Sequence, residues 1–104
     1  MSRDDLFRAL ADPTRRAVFE KLAVREMSVS EIKAGFEVSQ PAISQHLGVL
    51  RQAGLVVERR EGRNTRYRVA PHALTPLAEW VERYRDFWPE RVEKLKDLLK
   101  EMDQ

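Results

Sequence analysis

Apolar residues recur at every third or fourth position through most of this chain, and that period predicts helices. The predicted helices are five in number and begin at Ser2, Asp12, Ser28, Ser39 and Thr75. Between residues 55 and 69 the period falls to two, which predicts two strands joined by a turn at residues 61–64. The order of these elements predicts a mainly α (α+β) fold with a single β-hairpin.

The fourth helix has the clearest start and stop signals. Ser39 suits an N-cap, and Pro41 lies just inside the helix, where its missing N–H costs nothing. Gly54 follows the last periodic residue, where a left-handed residue ends many helices. The apolar face of this helix carries Ile43, Leu47 and Leu50.

The opposite face of the fourth helix carries amides, a hydroxyl and small residues rather than the Lys and Glu pairs of an ordinary solvent face. Such groups suit the edges of base pairs in a DNA major groove, and small residues let the backbone come close. The alternative is a polar surface helix without a partner. The residues on this side are Gln40, Pro41, Ala42, Ser44, Gln45, Gly48, Val49 and Gln52.

A shorter helix precedes the fourth. Ser28 and Glu31 fit a capping box, and Ile32 and Phe36 are expected to face inward. Two short helices joined by a tight turn, the second polar on its outer face, predict a helix-turn-helix. The third helix is then expected to lie across the DNA backbone while the fourth enters the groove.

The second helix begins with Asp12 as N-cap and Pro13 as first residue. Arg15 and Arg16 follow in its first turn, where positive charge opposes the helix dipole. This conflict indicates a partner for the two arginines. Either an intramolecular carboxylate or a phosphate fits.

The predicted hairpin is rich in arginine. Val57, Tyr67 and Val69 are expected to cover the core while the arginines point outward. A basic hairpin beside a groove-reading helix forms a wing that reaches phosphates or the minor groove. Protection of an exposed sheet edge is the other reading, and both roles are compatible. The wing residues assigned to DNA are Arg59, Arg60, Arg63, Asn64 and Arg66.

The last helix carries an apolar seam too long for one small core to bury. We expect it to pair, together with the first helix, with the same helices of a second chain, although packing within one chain is an alternative. Pro89 predicts a kink or a short break. The expected interface residues are Leu6, Phe7, Leu10, Leu77, Val81, Tyr84, Trp88, Val92, Leu95 and Leu99, and Trp80 and Phe87 widen the stripe.

Composition narrows the class of protein. The 104 residues suit one domain, expected to have a core at about residues 12–70 and dimerisation helices at about 3–11 and 75–102. The net charge is only +2, but residues 37–68 hold six arginines against three glutamates. The absence of cysteine excludes disulfides and thiolate metal sites. No apolar run is long enough to span a bilayer and no signal peptide is visible, so a cytoplasmic protein without a membrane partner is expected.

Four segments together resemble the ArsR-type winged helix-turn-helix repressors of prokaryotes. They are Leu10–Arg16, Ser39–Leu47, Leu50–Val56 and the turn Gly62-Arg63. The resemblance implies a two-stranded wing, a long C-terminal dimerisation helix, and a homodimer that represses transcription from a palindromic operator. It implies base contacts from Gln40, Ala42, Ser44 and Gln45, with Ser39 and His46 nearby, and phosphate or minor-groove contacts from Arg60, Arg63 and Arg66. For His46 a structural hydrogen bond fits equally well.

The chain departs from the metal-sensing members of that family. Residues 30–36 contain no cysteine, and the last helix contains no histidine. The two histidines, His46 and His72, lack a third ligand at suitable spacing, so neither metal nor cofactor is expected. Trp80, Tyr84, Phe87 and Trp88 form ordinary core or line a pocket for a small-molecule effector; core is the default interpretation.

Three functions can be compared on this basis. A sequence-specific DNA-binding regulator fits the outer face of the fourth helix. A winged-helix protein-interaction module without DNA recognition is the alternative, and it would show exposed apolar or acidic residues on that face. An enzyme is not expected, because no nucleophile–base constellation, phosphate loop or metal triad is visible.

Overall fold

A computed structural model describes residues 3–85 and 89–102 of the chain, and the side chains of residues 3–85 and 94–102. These residues form two compact units, and the division between them follows residue 70. The elements in chain order are α1 (Arg3–Ala11), α2 (Pro13–Val24), β1 (Met27–Ser28), α3 (Val29–Lys33), α4 (Gln40–Gln52), β2 (Val56–Glu61), β3 (Asn64–Val69), α5 (Thr75–Arg83) and α6 (Pro89–Met102).

The core of the first unit forms where α2, α3 and α4 turn their apolar faces inward. Phe19, Ile32 and Leu47 are each at most 2% exposed. Burial of one such side chain is worth about 1.5–3 kcal/mol relative to leaving it in water. The core also contains Val18, Leu22, Ile43, Leu50, Leu55 and Val56. The predicted inner face of α4 is therefore confirmed.

The hairpin belongs to a three-stranded antiparallel sheet with strand order β1-β3-β2. The prediction of a two-stranded wing missed β1, which has only two residues and is too short to show a period. The prediction that Val57 covers the core together with Tyr67 and Val69 was also wrong. Val56, which is opposite Val69, is buried, whereas Val57 is opposite Arg68 on the other face and is half-buried. Successive strand residues face opposite sides, so Val57 cannot share a face with Tyr67 and Val69.

The two arginines at the start of α2 direct their guanidinium groups to carbonyl oxygens, a kind of partner that the sequence did not indicate. The N–H of Arg15 donates to the Asp12 carboxylate at 2.9 Å, which confirms the N-cap. The guanidinium groups reach back to the end of α1. Arg15 Nη2 donates to the carbonyl of Arg8 at 3.0 Å, and Arg16 Nη1 donates to that of Leu10 at 2.8 Å. The carbonyl end of α1 thus gains the positive partners that a helix C-terminus favours.

α3 begins with the predicted capping box. The N–H of Glu31 donates to Ser28 Oγ at 3.3 Å, and the N–H of Ser28 donates to Glu31 Oε1 at 3.0 Å. Ile32 is fully buried, as expected. Phe36 differs from the expectation, since it lies beyond the end of α3 and is half-buried. The Lys21 ammonium lies over its ring at 5.7 Å from the centroid.

In the second unit the predicted long helix is divided in two. α5 ends at Arg83 and α6 begins at Pro89, which confirms a break at this proline. Thr75 is the first residue of α5 rather than its cap, and Leu74 occupies the N-cap position. An ion pair between Glu82 and Lys96 joins the two helices. No helix in the described ranges combines the length and apolarity that crossing a membrane requires.

Candidate nucleic-acid interface

Both ends of α4 are defined by local hydrogen bonds. Ser39 Oγ accepts from the N–H of Ala42 at 3.2 Å, as its N-cap position predicts. At the other end Gly54 has a φ of 79°. Its N–H donates to the carbonyl of Arg51 at 3.0 Å, and the N–H of Leu55 donates to that of Leu50 at 2.9 Å. This pair of bonds is a Schellman motif, which caps the C-terminus of α4.

The outer face of α4 is accessible within its unit. Gln40, Ser44 and Gln45 are exposed, and in the part of the chain that the structure describes their side chains form no hydrogen bond. Pro41 and Gln52 are also exposed. Ala42 and Gly48 are half-buried. The first turns of α4 therefore offer unoccupied amide and hydroxyl groups to a partner.

His46 lies at the border between the two faces. The residue is half-buried, and its Nδ1 atom is buried without a hydrogen-bond partner among the described residues. The pKa of the Asp12 carboxyl is lowered, chiefly by the N–H of Arg15 and to a smaller extent by the charge of His46. The ring thus lies near the N-terminus of α2. The structural hydrogen bond considered for His46 is absent at Nδ1.

The hairpin turn consists of Gly62 and Arg63, because Glu61 and Asn64 are the last paired residues. Gly62 has a φ of 62°, and Arg63 has a negative φ. A left-handed glycine at the first central position is characteristic of a type II′ turn, whose twist matches that of paired strands. The turn carries the exposed side chains of Arg63 and Asn64 outward at the tip of the wing.

Two of the predicted wing arginines are held by carboxylates of the same chain. Arg59 forms a bidentate ion pair with Glu26: its Nε donates to Oε1 at 3.1 Å and its Nη2 donates to Oε2 at 3.0 Å. Arg66 Nη2 lies 3.3 Å from Glu31 Oε1, and Arg66 Nε lies 3.6 Å from Glu26 Oε2. The partners are separated by more than 30 residues in the chain, so no local pattern could reveal them. Glu26 and Glu31 are site residues that the sequence reasoning missed.

Arg60 and Arg63 differ from Arg59 and Arg66. Both are exposed, and no carboxylate oxygen lies within 4 Å of either in the described ranges. Arg60 is opposite Thr65 and therefore on the other face of the hairpin from Arg59, which is opposite Arg66. The outward positive charge of the wing tip is thus concentrated on Arg60 and Arg63.

Comparison with known proteins places this arrangement in a family. The family model described as "Bacterial regulatory protein, arsR family" matches residues 12–57. An HTH-type transcriptional regulator of Mycobacterium tuberculosis is 42% identical over 80% of this chain and 78% of its own. The chain belongs to the ArsR family.

Two further comparisons describe proteins that are similar to this chain. The transcriptional repressor SdpR of Bacillus subtilis is 32% identical over 75% of this chain and 87% of its own. The homodimeric winged helix-turn-helix DNA-binding domain from Mycobacterium bovis superposes with a TM-score of 0.66 at 30% identity, covering 85% of this chain and 82% of that one. This chain is accordingly a winged helix-turn-helix transcriptional regulator and not an enzyme.

The residues assigned to a dimer interface of this ArsR-family chain differ in exposure. Leu6, Val81 and Leu99 are at most 4% exposed within the one chain, whereas Leu95 is 39% exposed. Phe7, Leu10, Leu77 and Tyr84 are half-buried. Trp88, and Phe87 beside it, lie outside the described residues, as does the side chain of Val92. The interface assignment stays a prediction.

The structure also shows how two of the aromatic residues of the last helix pack and whether possible metal ligands lie together. The rings of Trp80 and Tyr84 lie 5.1 Å apart at an angle of 52°, a tilted pair that contributes packing energy. In the described ranges no group of three or more His, Asp or Glu residues is arranged to hold a metal ion.

Proposed function

We propose that this ArsR-family chain represses transcription as a cytoplasmic homodimer bound to a palindromic operator. One observation carries the proposal: the first turns of α4 present Gln40, Ser44 and Gln45 outward, exposed and without a side-chain partner in the described part of the chain. SdpR is a transcriptional repressor and the Mycobacterium bovis domain is homodimeric, which supports repression and a dimeric assembly for this chain.

Sequence reading follows from the chemistry of this face. A glutamine amide both donates and accepts, so it can pair with N6 and N7 of adenine at the same time. We assign this role to Gln40 and Gln45, and a hydroxyl contact to Ser44. Ala42 is small and apolar and suits a thymine methyl group. Ser39 and His46 lie at the edges of the surface and complete it.

Affinity comes from phosphate contacts. Arg60 and Arg63 project from the wing without an intramolecular carboxylate, and Asn64 is exposed beside them. Each phosphate that an arginine neutralises releases counterions and makes binding fall with salt. The wing therefore supplies affinity and register, while α4 reads the sequence.

A homodimer presents two copies of α4. Two successive major grooves on one side of the duplex are about 34 Å apart, so a palindrome with half-sites one helical turn apart matches the two-fold symmetry. A dimer bound at such a site excludes polymerase from the DNA and thereby represses transcription. The interaction-module alternative is not favoured, because α4 contains no acidic residue and the exposed Gln40, Ser44 and Gln45 are polar, although Val49 further along α4 is 36% exposed.

The test begins with selection of bound sequences from random duplex DNA, followed by anisotropy measurements on the selected site. Gln45→Ala removes a base contact, so we expect about a 5- to 100-fold loss on the selected site and little change on random DNA, in line with the usual cost of one bidentate pair. Gln52→Ala is the matched control at the far end of α4 and should have a small effect. Equal losses in both variants, or no retained duplex at low salt, would refute the proposal.

A further inference from the structure

The wing is tied to the helix-turn-helix by a network of three glutamates and three arginines. We infer that Glu26 is a positioning residue for DNA binding, and that Arg59 and Arg66 brace the wing instead of contacting phosphates. This inference rests on the proposed function, and it divides the arginines of the wing into two kinds with different tasks. The members of the network are Arg25, Glu26, Glu31, Arg59, Glu61 and Arg66.

Glu26 is the centre of this network. It lies between α2 and β1, and its side chain is only 28% exposed. Both carboxylate oxygens accept from Arg59 of β2, in the fork geometry that makes an arginine–carboxylate pair directional. Its backbone carbonyl also accepts from Arg66 Nη2 at 3.4 Å. One residue before β1 thus contacts both strands of the wing.

Arg66 links β3 to the helix-turn-helix. Its side chain is 27% exposed, against 51% for Arg59, and it pairs with Glu31 in the first turn of α3. Glu31 is itself fixed by the N–H of Ser28 and by Arg25 Nη1 at 3.1 Å. The position of Arg66 is therefore set by α3, the helix that the sequence predicts to lie across the DNA backbone.

The charges of the network cancel, since three glutamates face three arginines. The hydrogen bond from Arg59 lowers the pKa of Glu26, and the pKa of Glu31 falls to about 2, chiefly through the N–H of Ser28 and then through Arg25. These groups therefore remain charged and paired at neutral pH. Little net positive charge is left at Arg59 and Arg66 for a phosphate, whereas Arg60 and Arg63 retain theirs.

The brace lies at the base of the hairpin, because Arg66 is the residue nearest the turn that pairs with β1 and Arg59 is opposite it. β1 pairs with β3 only at Met27–Tyr67 and Ser28–Arg66, so the hairpin beyond these positions is held by its own two strands. An isolated two-stranded hairpin is marginally stable in water. Fixing the hairpin before binding reduces the ordering cost that binding otherwise carries. The brace fixes the base of the hairpin segment that carries Arg60 and Arg63.

The decisive variant is Glu26→Gln, because positioning and simple charge predict opposite signs. The substitution removes a negative charge from a DNA-binding face, so charge alone predicts tighter binding. Loss of the brace predicts weaker binding, by about two- to five-fold, the range expected for loss of an exposed ion pair. Glu37→Gln is the matched control: Glu37 is exposed and has no cation within 4 Å in the described ranges, so its loss should leave affinity unchanged or slightly raised.

A second measurement separates the two kinds of arginine. In the salt dependence of binding to the selected site, Arg63→Gln should reduce the slope by about 0.9 for each phosphate that the side chain no longer neutralises. Arg59→Gln should lower affinity by a similar factor at every salt concentration and leave the slope unchanged. In the free protein, amide hydrogen exchange across residues 56–69 should be faster in Glu26→Gln and Arg59→Gln than in Arg63→Gln.

Tighter binding by Glu26→Gln, or a slope reduced equally by Arg59→Gln and Arg63→Gln, would overturn the inference. Unchanged hydrogen exchange in Glu26→Gln would overturn it as well. These failures are distinguishable from failure of the proposed function. If the native protein binds no duplex, the proposed function falls, while hydrogen exchange in the free protein still reports whether Glu26 holds the wing.

Discussion

Two glycines provide a matched test of the backbone of the proposed interface. An added Cβ at Gly48 or at Gly62 would meet no atom within 4 Å. The two positions differ in backbone conformation. Gly48 lies inside α4, whereas Gly62 has a φ of 62° in the hairpin turn. Replacement by alanine therefore tests conformation alone, without steric conflict at either site.

The expected free-energy changes have opposite signs. Alanine is about 0.8–1.0 kcal/mol more favourable than glycine in a helix interior, so Gly48→Ala should raise the free energy of unfolding by nearly that amount. Because stability changes of about 1 kcal/mol move the Tm of a domain this size by about 4–8 °C, the effect is measurable. At Gly62 the positive φ disfavours alanine, so Gly62→Ala should lower the free energy of unfolding by more than about 1 kcal/mol.

Urea denaturation followed by far-UV circular dichroism measures both changes, with the midpoint shift read at constant slope. The control is the slope itself, which reports any change in the denatured state. If Gly48→Ala fails to raise the midpoint, the outer face of α4 is not open at that position. If Gly62→Ala fails to lower it, the turn is not the left-handed one described here.

Two further predictions concern local hydrogen bonds. Ser39→Ala removes the N-cap of α4 and should lower the free energy of unfolding by about 1 kcal/mol in the same urea experiment. Ser44→Ala removes no cap and should change the free energy of unfolding by no more than about 0.5 kcal/mol. Equal losses in the two variants would contradict the role of Ser39 as a cap. The pKa of Glu31 is lowered from 4.5 to about 2, so its charge stabilises the folded state above pH 4.5, and that contribution is lost as the pH falls from 4.5 towards 2. Glu31→Gln should therefore be less stable at pH 7 and show a flatter loss of stability over that interval in acid titrations, and an unchanged acid profile would disprove the role given to this carboxylate.

Local signals accounted for the elements that position the site. The N-caps Asp12 and Ser39, the capping box at Ser28 and the C-terminal Gly54 could all be predicted, because each depends on hydrogen bonds between residues at most five positions apart. The period of the apolar residues predicted which face of α4 is buried. The contact residues assigned to DNA on α4 and on the wing stay predictions until the binding experiments are done.

The errors have a common cause, which is that they depended on contacts between one element and the next. Arg15 and Arg16 looked unfavourable within their own helix, and the turn at Asp12 brings carbonyl oxygens at the end of α1, six and seven residues earlier, within reach of their guanidinium groups. The face of Val57 depended on strand register, which pairing fixes and composition does not.

By itself, the sequence determined the helices, the turn residues and the polar face of α4, because these follow from the conformational preferences and periodicity of neighbouring residues. Only the tertiary structure decided that Arg59 and Arg66 face Glu26 and Glu31 while Arg60 and Arg63 do not. The four arginines look alike along the chain, and so do the two glutamates. Their pairing depends on distances across the fold, and an ion pair exists only where folding brings the two charges within a few ångströms.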